Sequence, residues 1–288
     1  MRIENLACTW PAEHGLALTH WAARTLQKEV IRQEICASIH STTVARILAA
    51  ASLQPHRFRY WKTTRWDAPA IRRAARVLWC YEHVGWLLKH NIVVLCLDEK
   101  ANLQVLERAG PVHPLRPGQI EQQEWEYVRH GTVHFLAAMT LHDGQMWATC
   151  LERNDGEQFR GALPHLLAQF PWAEGFYLVM DNGPSHIAGE TQSLLAERKP
   201  WVRVCLTPPH ASWLNQAELL LRAFSARYIE RGHWESRQTM IEHLQASWLE
   251  YNAHYAHPFA WSWTRSHFQD WLTERSLRVS CTISATVH

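Results

Sequence analysis

Two short apolar runs, each ending in an aspartate, constrain this chain most. Ile92 to Leu97 is continuously apolar and closes on Asp98, and Phe176 to Met180 is continuously apolar and closes on Asp181. Runs of this length, rich in branched residues and without alternation, suit strands covered on both faces. Ligands of layered α/β folds gather beyond the ends of such strands, so a carboxylate at each end marks a candidate site. Further strands are expected at 103–106, 133–140, 146–151 and 202–206. Helices are expected at 20–33, 42–51, 69–89, 157–170, 189–198, 213–230 and 237–254. In the helix at 20–33, Trp21, Leu26, Val30 and Ile31 are expected on one face, and Ser41 is the expected N-cap of the helix at 42–51. Strands clustered first, then alternating with helices, then helices alone, predict an α/β layer fold around a mixed sheet. A segment holding Pro111, Pro114, Pro117 and Gly118 must be an extended loop.

A third acid, Glu218, falls on the predicted helix at 213–230, bordered at helical spacing by Leu214, Asn215, Leu221 and Arg222. Taken singly, each acid reads equally well as a solvated or capping residue. Three converging carboxylates are different, because they repel unless a cation joins them. All-oxygen ligation suits Mg²⁺ or Mn²⁺ rather than Zn²⁺. Two such ions ~3.5–4 Å apart form the clamp used for in-line phosphoryl displacement.

The bulk numbers leave this open. In 288 residues with 47% hydrophobic content a large core can be buried, and a net charge of +2 excludes a histone-like polycation while allowing local basic patches. Seven scattered cysteines without a CxxC pair argue against a disulfide framework or zinc knuckle and point to a reducing compartment. No apolar run of about 18 residues is present, so no membrane partner is expected. Most of the 16 tryptophans are expected in the core or between helices. The 19 histidines raise a zinc hydrolase as a rival, but no HExxH spacing supports it.

Three runs carry a resemblance: Val93-Val94-Leu95-Cys96-Leu97-Asp98-Glu99-Lys100, then Leu178-Val179-Met180-Asp181-Asn182-Gly183-Pro184-Ser185-His186, then Thr207 to Glu218 with Ser212-Trp213-Leu214-Asn215-Gln216-Ala217-Glu218. In this order they resemble transposases of bacterial insertion sequences in the mariner-like DDE superfamily. The resemblance spans about Leu6 to Trp263 and includes Leu115-Arg116-Pro117-Gly118, the Tyr127–Gly131 turn and Pro258-Phe259-Ala260-Trp261. It implies a ribonuclease H-like catalytic domain with a mixed central sheet over 91–275, after a small all-α helix-turn-helix domain.

By the same resemblance Asp98, Asp181 and Glu218 are the catalytic and metal-ligating triad. They would bind two Mg²⁺ or Mn²⁺ ions, with Asp98 touching both. The 37 residues from 181 to 218 are close to the short spacing usual in that superfamily. The implied reaction is nicking at transposon ends, then attack of the freed 3′-hydroxyl on target DNA. Asn182 and His186 follow the second aspartate: Asn182 is either a backbone cap or catalytic, and His186 either touches the scissile phosphate or sits in the core. Asn215 and Gln216 would orient Glu218 or substrate. Glu99 and Lys100 form a surface ion pair or touch DNA.

The resemblance also assigns a helix-turn-helix with a following basic segment to 19–66, a linking helix to 67–90 and a C-terminal tail to 276–288. Major-groove contacts fall to Ser41, Thr42, Thr43 and Arg46, and phosphate contacts to Arg57, Arg59 and Lys62. Such proteins carry a further helix-turn-helix ahead of this one. Here 1–18 resembles only the connector between the two, so the first unit is expected to be missing. A transposase-derived DNA-binding protein without full transposition activity is therefore the alternative. Expected partners are double-stranded DNA, both element ends and target, and a second copy of the chain. By the same resemblance the Pro-rich loop, with Arg108 and Arg116, reaches that copy; read from its residues it is equally a surface loop tied down locally. The expected location is the bacterial cytoplasm, at the nucleoid when DNA is bound.

Overall fold

The computed structural model describes residues 2–55, 64–258 and 261–285, with side chains up to Arg275. The chain divides into two compact units, Met1–Lys62 and Thr63–His288. Among the described residues no helix is long and apolar enough to cross a membrane.

The first unit is helical: α1 (Arg2–Ala7), a 3-10 turn (Pro11–His14), α2 (Ala23–Arg32) and α3 (Ser41–Ala50). Leu6, Trp21, Leu26, Val30, Val44 and Leu48 close one small core. The indole N–H of Trp21 donates to the Thr9 carbonyl at 2.8 Å, which ties the stretch before α2 to the segment after α1. Two expectations change here. Ile31 is exposed rather than on the buried stripe, because Leu26 and Val30 already fill the inward face. The N-cap of α3 is His40 rather than Ser41, and its ring nitrogen accepts from the Thr42 backbone N–H. A buried carboxylate, Glu29, is satisfied by Arg32 at 2.7 and 2.5 Å and by Gln33 at 2.6 Å. The hydrogen bond from Arg32, opposed by burial, holds its pKa below the ordinary 4.5.

The second unit begins with α4 (Ala68–Glu82) and α5 (Val84–Lys89). Asp67 caps α4 by accepting from Ala70 N–H at 2.9 Å, and Pro69 suits the first turn. The single helix expected over 69–89 is two, broken at His83. There follow β1 (Ile92–Arg108), β2 (Tyr127–Thr140), β3 (Met146–Leu151), α6 (Gly156–Leu167), β4 (Gly175–Met180), α7 (Pro184–Ile187), α8 (Gly189–Ala196) and β5 (Trp201–Leu206). After a 3-10 turn at Ser212–Leu214 come α9 (Gln216–Tyr228), α10 (Arg237–His254) and α11 (Arg265–Ala285).

The five strands form one mixed sheet in the order β3-β2-β1-β4-β5, as the alternation of elements requires. β1–β2 and β2–β3 are antiparallel, and β1–β4 and β4–β5 are parallel. Strand periodicity sends alternate residues to opposite faces. Val94, Cys96, Tyr177 and Val179 face α4, α9 and α10 in one core. Val93, Leu95, Leu97, Phe176, Leu178 and Met180 face α6 and α8 in a second. Both faces of β1 and β4 are therefore covered, which is why their sequences read as unbroken apolar runs. Each fully buried Leu, Val or Phe contributes about 1.5–3 kcal/mol.

β1 does not end at Asp98. It continues to Arg108, absorbing the strand expected at 103–106, with register shifts on either side of Leu103. Asn102 takes a left-handed φ of 57° within the first shift. What ends near Asp98 is the pairing with β4, whose last register pair is Cys96 with Val179. The Pro-rich segment between β1 and β2 is an exposed loop closed by small bridges, His113 with Gln122 and Arg116 with Gln119. Trp21 and Trp234 are buried, but Trp10, Trp86, Trp125, Trp172, Trp201 and Trp213 are exposed. Trp66, Trp79, Trp147, Trp248, Trp261, Trp263 and Trp271 pack against the two cores of the second unit, so most of the described tryptophans are core or packing residues, as expected.

Candidate active site

Continuing the parallel register of Cys96 with Val179 by two residues sets Asp98 beside Asp181. Two residues also restore the face, so both aspartates lie on the side of the sheet that carries α9. Glu218 is in the first turn of α9, exposed, while Ala217, Leu220, Leu221 and Phe224 hold that helix against the sheet. The Phe135 and Phe224 rings stack at 5.4 Å beneath it.

Asn215 fixes where α9 begins. Its Oδ1 accepts from Ala217 N–H at 3.2 Å, and its Nδ2 donates to the Leu97 carbonyl at 2.7 Å. One wholly buried side chain thus caps the helix bearing Glu218 and ties it to the residue before Asp98. Gln216 is buried beside it, and its Nε2 has no hydrogen-bond partner among the described residues. Tyr81 reinforces the same junction by donating to the Leu214 carbonyl at 2.5 Å.

The site is charged beyond what its own side chains balance. Burial, then the charge of Asp181, then those of Glu99 and Glu218, push Asp98 up to about 7, against the backbone N–H of Glu99, which donates to it. Asp181 goes the other way. A hydrogen bond from His186, opposed by burial and helped by Gly183 N–H, lowers its pKa. Asp181 therefore stays ionised beside Asp98, and the repulsion falls on Asp98.

His186 is wholly buried between two acids, with Nδ1 at 2.8 Å from Asp181 and Nε2 at 2.9 Å from Glu99. Burial opposes its charge, but the hydrogen bonds to Asp181 and Glu99 push it up to about 10. The Phe159 ring lies 4.7 Å away. His186 thus joins Glu99 to Asp181 from inside the core. Glu99 is engaged with this histidine rather than in a surface ion pair with Lys100. Asn182 donates to the Thr207 carbonyl at 2.7 Å and accepts from Arg73 of α4, also at 2.7 Å. Neither Arg73 nor the Glu99–His186–Asp181 chain was anticipated as a unit from the sequence.

The donor set fits a hard divalent ion: three carboxylates, all oxygen, one of them driven towards protonation by burial and by the charge of its neighbours. Among the described residues no three His, Cys, Asp or Glu side chains already stand in metal-holding geometry. Bringing the carboxylates to one point costs repulsion that a cation removes.

Of the residues assigned to DNA, Thr42 and Arg46 are exposed on the first turns of α3, and Ser41 and Thr43 are half-buried. Arg57, Arg59 and Lys62 lie outside the described residues.

A mixed five-stranded sheet with helices on both faces, and two aspartates side by side where β1 and β4 stop pairing, defines a ribonuclease H-like α/β fold. Residues 93–241, just over half of the chain, match the DDE superfamily endonuclease family, and the chain belongs to it. Its fold is similar to that of the Mos1 transposase paired-end complex with left transposon end. The TM-score is 0.54 at 15% identity, covering 94% of this chain and 75% of that one. The Mos1 mariner paired end complex with Mn gives a TM-score of 0.54 at 15% identity over 90% and 72% of the two chains. The Mos1 Strand Transfer Complex gives 0.51 at 14% over 88% and 70%. At these identities the likeness establishes the fold. No match was found among curated proteins.

Asn215→Ala removes a helix cap, about 1 kcal/mol, and strands a buried carbonyl, about 1–3 kcal/mol. Urea unfolding of this variant is expected to show a loss of about 2–4 kcal/mol. A loss under about 0.5 kcal/mol, the range of an ordinary surface substitution, would mean the bridge does not hold α9.

Proposed function

We propose that this DDE endonuclease is a transposase of insertion-sequence type that nicks DNA at element ends and joins the freed 3′-hydroxyl to target DNA. The observation that carries this is the placement of three acids from β1, β4 and α9: register sets Asp98 beside Asp181 on the face that α9 covers, with Glu218 in the first turn of α9. Asp98, Asp181 and Glu218 would hold two Mg²⁺ or Mn²⁺ ions. When bound, such ions activate a water or 3′-hydroxyl and stabilise the leaving oxygen. Support for a divalent ion comes from the Mos1 complex with Mn, which shares the fold.

The protein's own residues prepare the site. His186 engages one oxygen of Asp181, which leaves the second oxygen of that carboxylate for a ligand. Asn215 fixes the origin of α9 and with it the approach of Glu218. The hydrogen bond between Arg73 and Asn182 steadies the loop that follows Asp181.

The helices of the first unit are read as a helix-turn-helix, with the start of α3 in a major groove and Ser41, Thr42, Thr43 and Arg46 towards the bases. Arg57, Arg59 and Lys62 are assigned to phosphates. The second copy expected of a transposase is assigned to the loop after β1, where Leu115, Ile120 and Trp125 are 73%, 79% and 88% exposed. Three large apolar side chains this open on one loop suit burial against a partner chain.

One nicking assay, on a duplex built from inverted repeats identified by sequencing the flanks of the gene, tests the chemistry and the recognition together. Asp98→Asn is expected to abolish Mn²⁺-dependent nicking while still binding. Arg46→Ala is expected to lose preference for the repeat over a scrambled duplex. Nicking by Asp98→Asn at the parental rate would falsify the triad. Binding without any nicking by the parent would favour the transposase-derived DNA-binding protein instead. Sedimentation of Ile120→Ser/Trp125→Ser on DNA is expected to read a monomer where the parent reads a dimer. A dimeric variant removes the loop from the interface.

A further inference from the structure

A groove outside the carboxylate site runs along α4 and the edge strand β5. Its two adjoining hollows, of about 720 and 270 Å³, share Arg76 and Val204. Arg72, Arg73, Arg76, Arg203 and Arg265 line them, so five guanidinium groups meet in one depression. The net charge of the chain is only +2, so a cluster of five arginines is a local basic patch rather than part of a generally basic surface.

The five are not equivalent. Arg265 is taken by Glu82 at 2.6 Å and closes one end. Arg73 is taken by Asn182, next to Asp181, and so joins the other end to the carboxylate site. Arg203 is exposed and steadied by Trp201, whose ring centre is 5.1 Å away, and by the Tyr177 hydroxyl at 3.3 Å. Arg72 and Arg76 are exposed, sit four residues apart on one face of α4, and have no ion pair or hydrogen bond among the described residues. Two unpaired arginines on successive turns, about 6 Å apart along the axis, form a row of charge-assisted donors. Such a row recognises phosphate oxygens, which guanidinium groups bind in bidentate fashion.

We propose that this groove binds the sugar–phosphate backbone of duplex DNA and leads it to the carboxylates, with Arg72, Arg76 and Arg203 as its contacts. The proposal rests on the transposase reading. It adds a path for DNA within the second unit, along α4 and β5. DNA is chosen over a small phosphorylated ligand because the groove is continuous, through Arg73, with the loop that carries Asp181. The same chemistry serves element-end DNA and target DNA alike. Contacts of this kind position a duplex without reading its sequence.

The test is salt-dependent binding by the full chain to two labelled duplexes, one with the flanking inverted repeat and one scrambled, followed by nicking and joining into a supercoiled plasmid. Each phosphate contact contributes about 0.9 to the slope of log affinity against log salt. Arg72→Ala/Arg76→Ala is expected to lower that slope by about 2 on both duplexes, and Arg72→Lys/Arg76→Lys to restore most of it. Loss of nicking on the repeat duplex assigns the groove to element ends. Retained nicking with lost joining assigns it to target DNA, and either result supports the proposal. Parental slope, nicking and joining in the alanine variant overturn it and leave the transposase reading standing. A slope that falls with alanine and stays low with lysine, alongside a lowered melting temperature, also overturns it by showing a structural role. A parent that binds neither duplex overturns the transposase reading itself.

Discussion

The parallel pairing of β1 with β4 is the constraint on which the site depends. It sets the end of β4 beside the middle of β1, where their pairing stops, and its register gives both aspartates the same face. A slip of one residue would send one of them to the opposite layer. The register is protected because both faces of both strands are buried, so any slip would also exchange two packed cores. Asn215 then transmits the position of β1 to α9 through a single side chain. The three acids are thus placed by sheet register and one buried amide rather than by contacts with each other.

Those acids stand in different electrostatic conditions. His186 supplies Asp181 with a buried partner, while Asp98 meets burial and like charge offset only by the backbone N–H of Glu99. Glu99 completes the compensation of the histidine from the far side. Asp98 is therefore the acid most responsive to an added cation. The same logic of local rather than global charge holds on the α4 side, where arginines concentrate although the chain is nearly neutral.

Strands with two covered faces were legible because their apolar runs are unbroken. The runs at 92–97 and 176–180 led directly to β1, β4 and their acids, and α10 was read with its true ends. The length of β1 was not legible. From Asp98 to Ala101 the strand is half-buried, and it turns irregular at Asn102, so the alternation at 102–105 reads as a separate strand rather than a continuation. The cap of α3 was misplaced because a histidine took the role usually filled by serine. Links across the sheet were hidden by distance along the chain. Glu99 and His186 are 87 residues apart, and Arg73 and Asn182 are 109 apart. Each residue could be named, but not its partner. Gln216 could be flagged as near the site, yet its burial follows only from how α9 seats on the sheet.

The central claim, that Asp98, Asp181 and Glu218 converge on bound metal, is tested most directly by replacing the metal with Fe²⁺ and mapping where ascorbate-driven hydroxyl radicals cut the polypeptide. The account predicts cuts clustered around 98, 181 and 218, and their disappearance in Asp98→Asn. Cuts confined to histidine-rich segments elsewhere, or a cutting pattern unchanged by Asp98→Asn, would contradict it.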